Sequence, residues 1–434
     1  MSLVRMTLGS YRCFTRQQDI ELRPVTLVLG RNNAGKSALV RAPLVFGTGI
    51  RTDSPEPLDL DQLGENVVDS FTDLVYGNRA LGSFQFGLGL DGPSGSIELS
   101  GTVQHVREHH TQVVSELRVT TGGLRRFRLE WELSDPRQTP RYTVETEAGE
   151  VTWSDVPIVF QGLLPIDVEK PAGGAGRLPE ELVNELLGLS LDVRAAYPTV
   201  RYFGPFRDRP QRRYRLPGRA PAEVGMLGEH AAGILASDKV RTQSRLIRQI
   251  NENFADHLPG WEVDVVERGG MWSVVLTSRD DDTIRVNLAD AGTGVAQVLP
   301  IFVQRAADLI NPPTGSILEI IEQPELHLHP RAHAALADLY LEAAQRTPTR
   351  FLIETHSETL LLRLRRRIAE GRADPSQVAV YFVDAADGAA TARRIQIDAD
   401  GNLDYWPAGV FSEDYEETKE LARAQWERRD SRAG

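Results

Sequence analysis

The stretch VTLVLGRNNAGKSALV (residues 25–40) limits what this chain can fold into more than any other. It holds G-x-x-x-x-G-K-S from Gly30 to Ser37, behind an apolar strand-like run and ahead of an apolar helix-like segment. In that order, successive backbone N–H groups turn inward and the helix N-terminus adds its dipole, so the loop cradles phosphate oxygens. Gly30 and Gly35 free the backbone, with Asn32, Asn33 and Ala34 between them. Lys36 is expected to reach the β- and γ-phosphates, and the Ser37 hydroxyl to sit on Mg²⁺. Pro43, in the segment SALVRAPLVF, predicts a kinked or shortened helix.

The 434 residues allow two to four lobes. Hydrophobic residues make up 41% and charged residues 25%, the composition of a globular chain. No apolar run reaches the roughly 18 residues of a membrane helix. The start, MSLVRMTLGSYRCF, lacks an unbroken apolar core for a secretory signal. Cys13 is the one cysteine, which excludes an internal disulfide and fits a cytoplasmic protein. A net charge of −12 argues against wrapping nucleic acid with the whole surface.

Short strands are expected at 3–8, 20–23 and 25–29. Runs such as FQFGLGL, SIELSGTVQHV, RFRLEWEL and VTWSDVPIVF, broken by turn residues between about 83 and 160, read as an antiparallel meander. PAGGAGRLP (171–179) reads as a loop or small linker. Helical periodicity marks 180–195 and 228–257, and WEVDVVE with MWSVVLTS reads as a hairpin. Beyond it, helices at 295–310, 331–346 and 357–370 alternate with apolar strands at 316–322, 350–354 and 377–383. That alternation is the mark of a mostly parallel α/β sheet.

Three further segments carry chemistry. In GSILEIIEQPELHLHP (315–330) an apolar strand ends in Glu322, the acid expected to hold Mg²⁺, and Gln323 follows where a carboxylate usually polarises the attacking water. Glutamine orients a water but takes no proton, so turnover is expected to be slow or to use another group, such as Glu325 or a partner residue. Glu319, in mid-strand, needs a partner. His327 and His329 with Glu325 make a weak metal pattern, and a turn into the next helix is favoured. In VNLADAGTGVAQVLPIFV (286–303), Gly292, Thr293 and Gly294 open a helix and form a second anion site. Two phosphate-binding helix starts in one chain make sense if two protomers complete each other's sites. In RFLIETHSETLLLRLRRRI (350–368), His356 stands at a strand's end, where it can meet a γ-phosphate. Arg363, Arg365, Arg366 and Arg367 read as a solvated face rather than a DNA contact.

The order of these motifs, with SFTDLVYGN (70–78), RYFGPFRDRPQRRY (201–214) and YWPAGVF (405–411), resembles the ABC-type ATPases of the RecF, SMC and OLD group. Stand-alone bacterial members with a short uncharacterised C-terminal domain are the nearest in pattern. The resemblance implies an α/β P-loop NTPase of the ABC-type head class, with an antiparallel β-subdomain and a helical insert. It divides the chain into residues 1–82 (the P-loop part of lobe I), 83–227 (a β-rich insert with a helical segment), 228–375 (lobe II) and 376–434 (a C-terminal strand and tail). It further implies ATP and Mg²⁺ bound between two copies placed head to tail. Lys36, Ser37, Glu322, Gln323 and His356 take the phosphate, metal, catalytic-acid and switch-histidine positions. Thr293 matches the signature hydroxyl, with Ala296 an alternative position. Arg207 is a phosphate-side arginine or a structural ion pair, and the residue standing for the Q-loop is open.

The chain has no coiled-coil arm. VYFVDAADG (380–388) offers two acids, fewer than a nuclease metal cluster needs, so the chain reads as the ATPase part alone. The implied role is an ATPase that drives or gates a protein effector, nuclease or toxin-like, in bacterial antiviral defence or DNA maintenance. The rivals are an ATP-dependent sensor or scaffold with negligible turnover, a RecF-like DNA-repair ATPase, and a small-molecule kinase. DNA stays open as a partner and a membrane is not expected.

Overall fold

The computed structural model describes residues 1–406 except 65–66, 80–81, 93–94, 136–137, 147–150, 171–176, 256–259 and 387, together with 419–421 and 423. Much of PAGGAGRLP and the end of YWPAGVF therefore lie outside the described residues. β1 (Ser2–Gly9), β2 (Gln18–Glu21) and β3 (Val25–Gly30) lead to the phosphate loop and to α1 (Lys36–Val40) and α2 (Ala42–Ile50). The meander comprises β4 (Ser83–Gly92), β5 (Gly95–Val106), β6 (Thr111–Thr121), β7 (Leu124–Trp131), β8 (Arg141–Thr146), β9 (Thr152–Gln161) and β10 (Leu164–Val168). Next come α3 (Glu180–Ala196), β11 (Thr199–Phe203), α4 (Ala231–Arg241) and α5 (Arg245–Phe254). A small sheet of β12 (Trp261–Arg268), β13 (Met271–Ser278) and β14 (Arg285–Asn287) precedes α6 (Thr293–Ile310). The chain continues through β15 (Ile317–Glu322), α7 (Pro330–Arg346), β16 (Thr349–Glu354), α8 (Glu358–Ala369), β17 (Val378–Ala386) and β18 (Ala389–Ile395).

Two large sheets organise these elements. The nine-stranded sheet runs β10-β9-β8-β7-β6-β5-β4-β1-β2 and is antiparallel throughout. The six-stranded sheet runs β11-β15-β16-β3-β17-β18, parallel except for the edge pair β17–β18. Pairing ignores the order of the chain: β1 joins the meander through β4, and β3 pairs with β16 and β17 from the other end of the sequence.

Sequence explains why β3 and β15 are interior strands of the parallel sheet. Every residue of VTLVLG and ILEIIE is buried, as a strand covered on both faces requires. The two faces feed two cores by the period-two rule. Val28, Leu318 and Ile320 join the core shared with the nine-stranded sheet and α2, while Val25, Leu27, Leu29 and Ile321 join the core of α4–α8. An aromatic cluster of Tyr11, Phe46, Phe71, Phe84 and Phe86 fastens α2 to the nine-stranded sheet, with ring centroids 5.5–6.3 Å apart. Glu319 has its partners: Arg305 of α6, wholly buried, bonds its carboxylate, and Arg201 lies 3.9 Å away. Arg305 also meets Asp308 at 2.9 Å and stacks over Phe351. This network ties α6 to the strand that ends in Glu322.

The helix after the phosphate loop is broken as Pro43 requires. α1 stops at Val40, Arg41 links it to α2, and Pro43 occupies the first turn of α2, where its missing N–H costs nothing. The Pro43 carbonyl accepts from the Tyr197 hydroxyl. α8 starts at a Ser357 cap whose hydroxyl accepts from the Leu360 N–H, and it buries Leu360, Leu361, Leu364 and Ile368 along one stripe.

Candidate functional site

The parallel strands deliver their C-terminal ends side by side. β16 lies between β15 and β3, with Glu322 in register with Glu354 and Glu354 in register with Val28. The acidic strand end, the His356 strand end and the phosphate loop thus form one edge, where open α/β sheets bind ligands.

The loop has the geometry its glycines permit. Gly35 has φ 103, and a Cβ there would come within 2.4 Å of the Cys13 sulfur. Asn33 also has a left-handed φ of 63. Asn32 and Asn33 are exposed and Ala34 is buried. Lys36 Nζ folds back over the loop, donating to the carbonyls of Gly30 at 3.1 Å and Arg31 at 2.7 Å, and lies 4.0 Å from Glu354. Burial lowers the Lys36 pKa, and the charges of Glu354 and Glu325 work against that.

Glu322 is 2% exposed and its carboxylate is already held. Arg41 grips it with two bonds of 2.5 and 2.8 Å, and Tyr202 Oη donates at 2.9 Å. Burial pulls the Arg41 pKa down, but Glu322 more than offsets it and the net direction is up. The clamp links the loop's own helical segment to the acidic strand. Glu354 stands beside it: burial and the neighbouring Glu322 push its pKa up to about 7, against a Ser37 hydrogen bond and the charges of Lys36 and Arg41.

Ser37, Glu322 and Glu354 therefore gather a hydroxyl and two carboxylates, and Glu354 Oε2 has no protein partner among the described residues. Hard oxygen donors of this kind fit Mg²⁺ shared with substrate phosphates. Ser37 and Glu354 would hold the ion, with Glu322 acting through water while Arg41 grips it. Bound there, Mg²⁺ would neutralise charge on the phosphate oxygens. Among the described residues no cluster of three or more His, Cys, Asp or Glu forms a metal site of its own. His327 and His329 are exposed.

Gln323 has φ 45, an uncommon value for a non-glycine residue, and its N–H donates to the Glu354 carbonyl at 2.8 Å. Glu325 turns back toward His356 and accepts its backbone N–H at 2.7 Å. Burial, then Lys36, lowers the His356 pKa, so its ring is neutral at pH 7. Arg207 is buried, with Nη2 3.4 Å from the Glu322 carbonyl, and its backbone is held at both ends by the Gln297 side chain. No ion pair of Arg207 occurs among the described residues, and burial lowers its pKa.

Gly292, Thr293 and Gly294 lie at the start of the 18-residue α6. Thr293 is exposed at the first turn, whereas Ala296 is buried in the helical core, so only Thr293 presents itself to another molecule. A Cβ on Gly294 would sit 2.5 Å from the His327 carbonyl, which packs this turn against the segment after Glu322. The four arginines of α8 are committed locally: Arg363 and Arg367 to Asp338, Arg366 to Glu370, and Arg365 to the Gly401 carbonyl.

The sequence reading missed Arg41, Tyr202 and Glu354. For Glu354 a signal exists: an acid ends an apolar strand two residues before His356, as Glu322 ends its own. Arg41 and Tyr202 carry no such mark, because their roles depend on which strands become neighbours.

Residues 235–361 match the AAA ATPase domain family, from within α4 to within α8, and residues 374–421 match a family described as a protein of unknown function, DUF3696. No curated protein matches the chain in sequence. Among solved structures, the SMC head bound to the C-terminal winged-helix domain of ScpA is 12% identical, covers 92% of this chain and 98% of its own, and has a TM-score of 0.48. The SMC head domain from Thermotoga maritima is 12% identical, with coverages of 92% and 100% and a TM-score of 0.42. An Smc head with an extended coiled coil, bound to a ScpA domain derived from Pyrococcus furiosus, is 10% identical, with coverages of 91% and 96% and a TM-score of 0.42. The chain has an α/β fold whose parallel sheet carries the phosphate loop at a strand end beside a separate antiparallel sheet, and part of it matches the AAA ATPase domain family. Among the described residues no helix is long and apolar enough to cross a membrane.

Proposed function

We propose that this ATPase binds ATP with Mg²⁺ at the edge formed by Gly30–Ser37, Glu322, Glu354 and His356, and closes as a head-to-tail dimer. The observation that carries the dimer is the exposed Thr293 at the N-terminus of a long helix. It is a second phosphate-seeking helix start, held on the lobe whose strand supplies Glu322. In a head-to-tail pair, Thr293 of one copy would complete the cradle of Lys36 in the other. Closure and reopening would then gate a protein effector, nuclease or toxin-like, in bacterial defence or DNA maintenance.

The chemistry assigns each residue a task. Backbone N–H groups of the loop and Lys36 hold the phosphates, after Lys36 exchanges its bonds to the Gly30 and Arg31 carbonyls for phosphate oxygens. Ser37 and Glu354 would hold the metal, with Glu322 acting through water. The neutral His356 ring, whose Nε2 has no partner among the described residues, contacts the γ-phosphate.

The test is size-exclusion chromatography with light scattering, with and without ATP–Mg²⁺. A doubling of mass with ATP in the wild type and none in Lys36→Ala is the expected result. Tight ATP binding with no change in mass refutes the dimer. Gln323 favours the sensor or scaffold as a second reading. Phosphate release equal to the Lys36→Ala blank, with ATP still bound, would establish it.

A further inference from the structure

We propose that Glu325 is the general base of this ATPase, supplying the carboxylate missing at position 323. The assignment rests on the ATPase reading above. Gln323 has a carboxamide, which orients water but accepts no proton at neutral pH. Two residues on, Glu325 is 8% exposed and has a divided carboxylate. One oxygen, Oε1, accepts the His356 N–H at 2.7 Å, which fixes the side chain. The other, Oε2, is buried with no protein partner among the described residues. A buried carboxylate oxygen left unpaired is costly, and such atoms cluster where a ligand or water is handled.

The surroundings suit a base. The Glu325 charge is felt at Lys36, which places the carboxylate toward the phosphate cradle, and His356 feels Lys36 as well. Arg207 is 5% exposed, with Nε and Nη1 also lacking protein partners among the described residues. Arg207 and Glu325 attract each other electrostatically. Arg207 is a positioning residue, held through its backbone by Gln297 of α6. Glu322 and Glu354 are buried as well, but Arg41 grips Glu322 and Glu354 bonds Ser37, so both belong to the proposed metal side.

In the step itself, the water oxygen bonds to the γ-phosphorus. The bond from that phosphorus to the β,γ-bridging oxygen breaks, and ADP departs with the bridging oxygen and the electron pair. The proton of the water passes to Glu325 Oε2 and leaves afterwards with phosphate or solvent.

Glu325→Gln tests this cleanly, because its carbonyl still accepts from His356 while the charge is gone. Steady-state phosphate release is expected to fall at least about 100-fold. Equilibrium binding of a fluorescent ATP analogue should stay within about threefold of the wild type, since a base contributes little to ground-state affinity. The double variant Gln323→Glu/Glu325→Gln should recover about tenfold or more of the lost rate, by placing the carboxylate two residues earlier. An active wild type with an equally active Glu325→Gln overturns the assignment alone. So does a Glu325→Gln that loses ATP binding along with turnover, or a double variant without rescue, since either marks Glu325 as a support for His356. A wild type that neither binds the analogue nor exceeds the Lys36→Ala blank overturns the ATPase reading, and this assignment with it.

Discussion

Replacing Arg305 by methionine probes the link between the two halves of the proposed site. Arg305 belongs to α6, which starts at Thr293, and its partner Glu319 belongs to β15, which ends at Glu322. Four charges meet there. Arg305 and Arg201 face Glu319 and Asp308, with Arg201 2.7 Å from Asp308. Arg305→Met leaves Arg201 against two buried carboxylates. Removing one partner of a buried pair costs about 3–5 kcal/mol, because the other charge stays uncompensated. Over 434 residues the unfolding entropy is about 0.9 kcal/mol/K if the chain melts as one unit, so Tm should drop by about 3–6 °C. Arg305→Met/Glu319→Leu restores the balance and should recover most of that loss. The pH dependence follows in sign. Burial pushes the Glu319 pKa up to about 7 even with Arg305 present, and losing the guanidinium raises it further. A raised folded-state pKa gives stability that is present in acid and lost as pH rises, so the single variant's deficit should shrink on going from pH 7.5 to 5.5. Differential scanning calorimetry reads all three effects. A single variant within about 1 °C of the wild type at pH 7.5, or a double variant no better than the single, would refute the reasoning.

Other outcomes follow from the same geometry. Lys36→Ala should abolish phosphate release, a loss of at least about 100-fold, and weaken nucleotide binding measured by fluorescence titration. Thr293→Arg should leave nucleotide affinity of the single copy intact and prevent the mass doubling with ATP, since in the proposed dimer Thr293 would meet the nucleotide only across the interface. His356→Ala should slow turnover by about tenfold or more with little change in affinity, read from single-turnover phosphate release. Glu354, with its pKa raised to about 7, makes the wild type lose stability between the unfolded carboxylate range and pH 8. Glu354→Gln does not titrate, and a melting series should show it gaining about 1–3 kcal/mol on the wild type across that window.

Local chemistry made much of the molecule readable in advance. The phosphate loop is contiguous, and its glycines and lysine act through backbone geometry that neighbours hardly alter. The hairpin of β12 and β13, with its Gly269–Gly270 turn, was legible from its alternation, as was the helix stripe of α8. The sites that escaped depend on pairing between distant segments. Arg41 reads as one more arginine in an arginine-rich chain until β15 arrives beside α1. Tyr202 looks like an ordinary strand residue until β11 pairs with β15.

What the sequence marked by itself was the kind of chemistry to expect: a glycine-rich loop with Lys36 and Ser37, a strand ending in Glu322 followed by Gln323, and His356 at the end of another strand. Those are short-range facts, set by residue type and spacing. Tertiary structure decided which charges face each other. By placing β16 between β15 and β3, the sheet set Glu354 beside Glu322 and Lys36, and it delivered Arg41 to a carboxylate 281 positions away in the chain. Electrostatics inside a low-dielectric core depends on distance in space, and spacing along the chain carries no record of it.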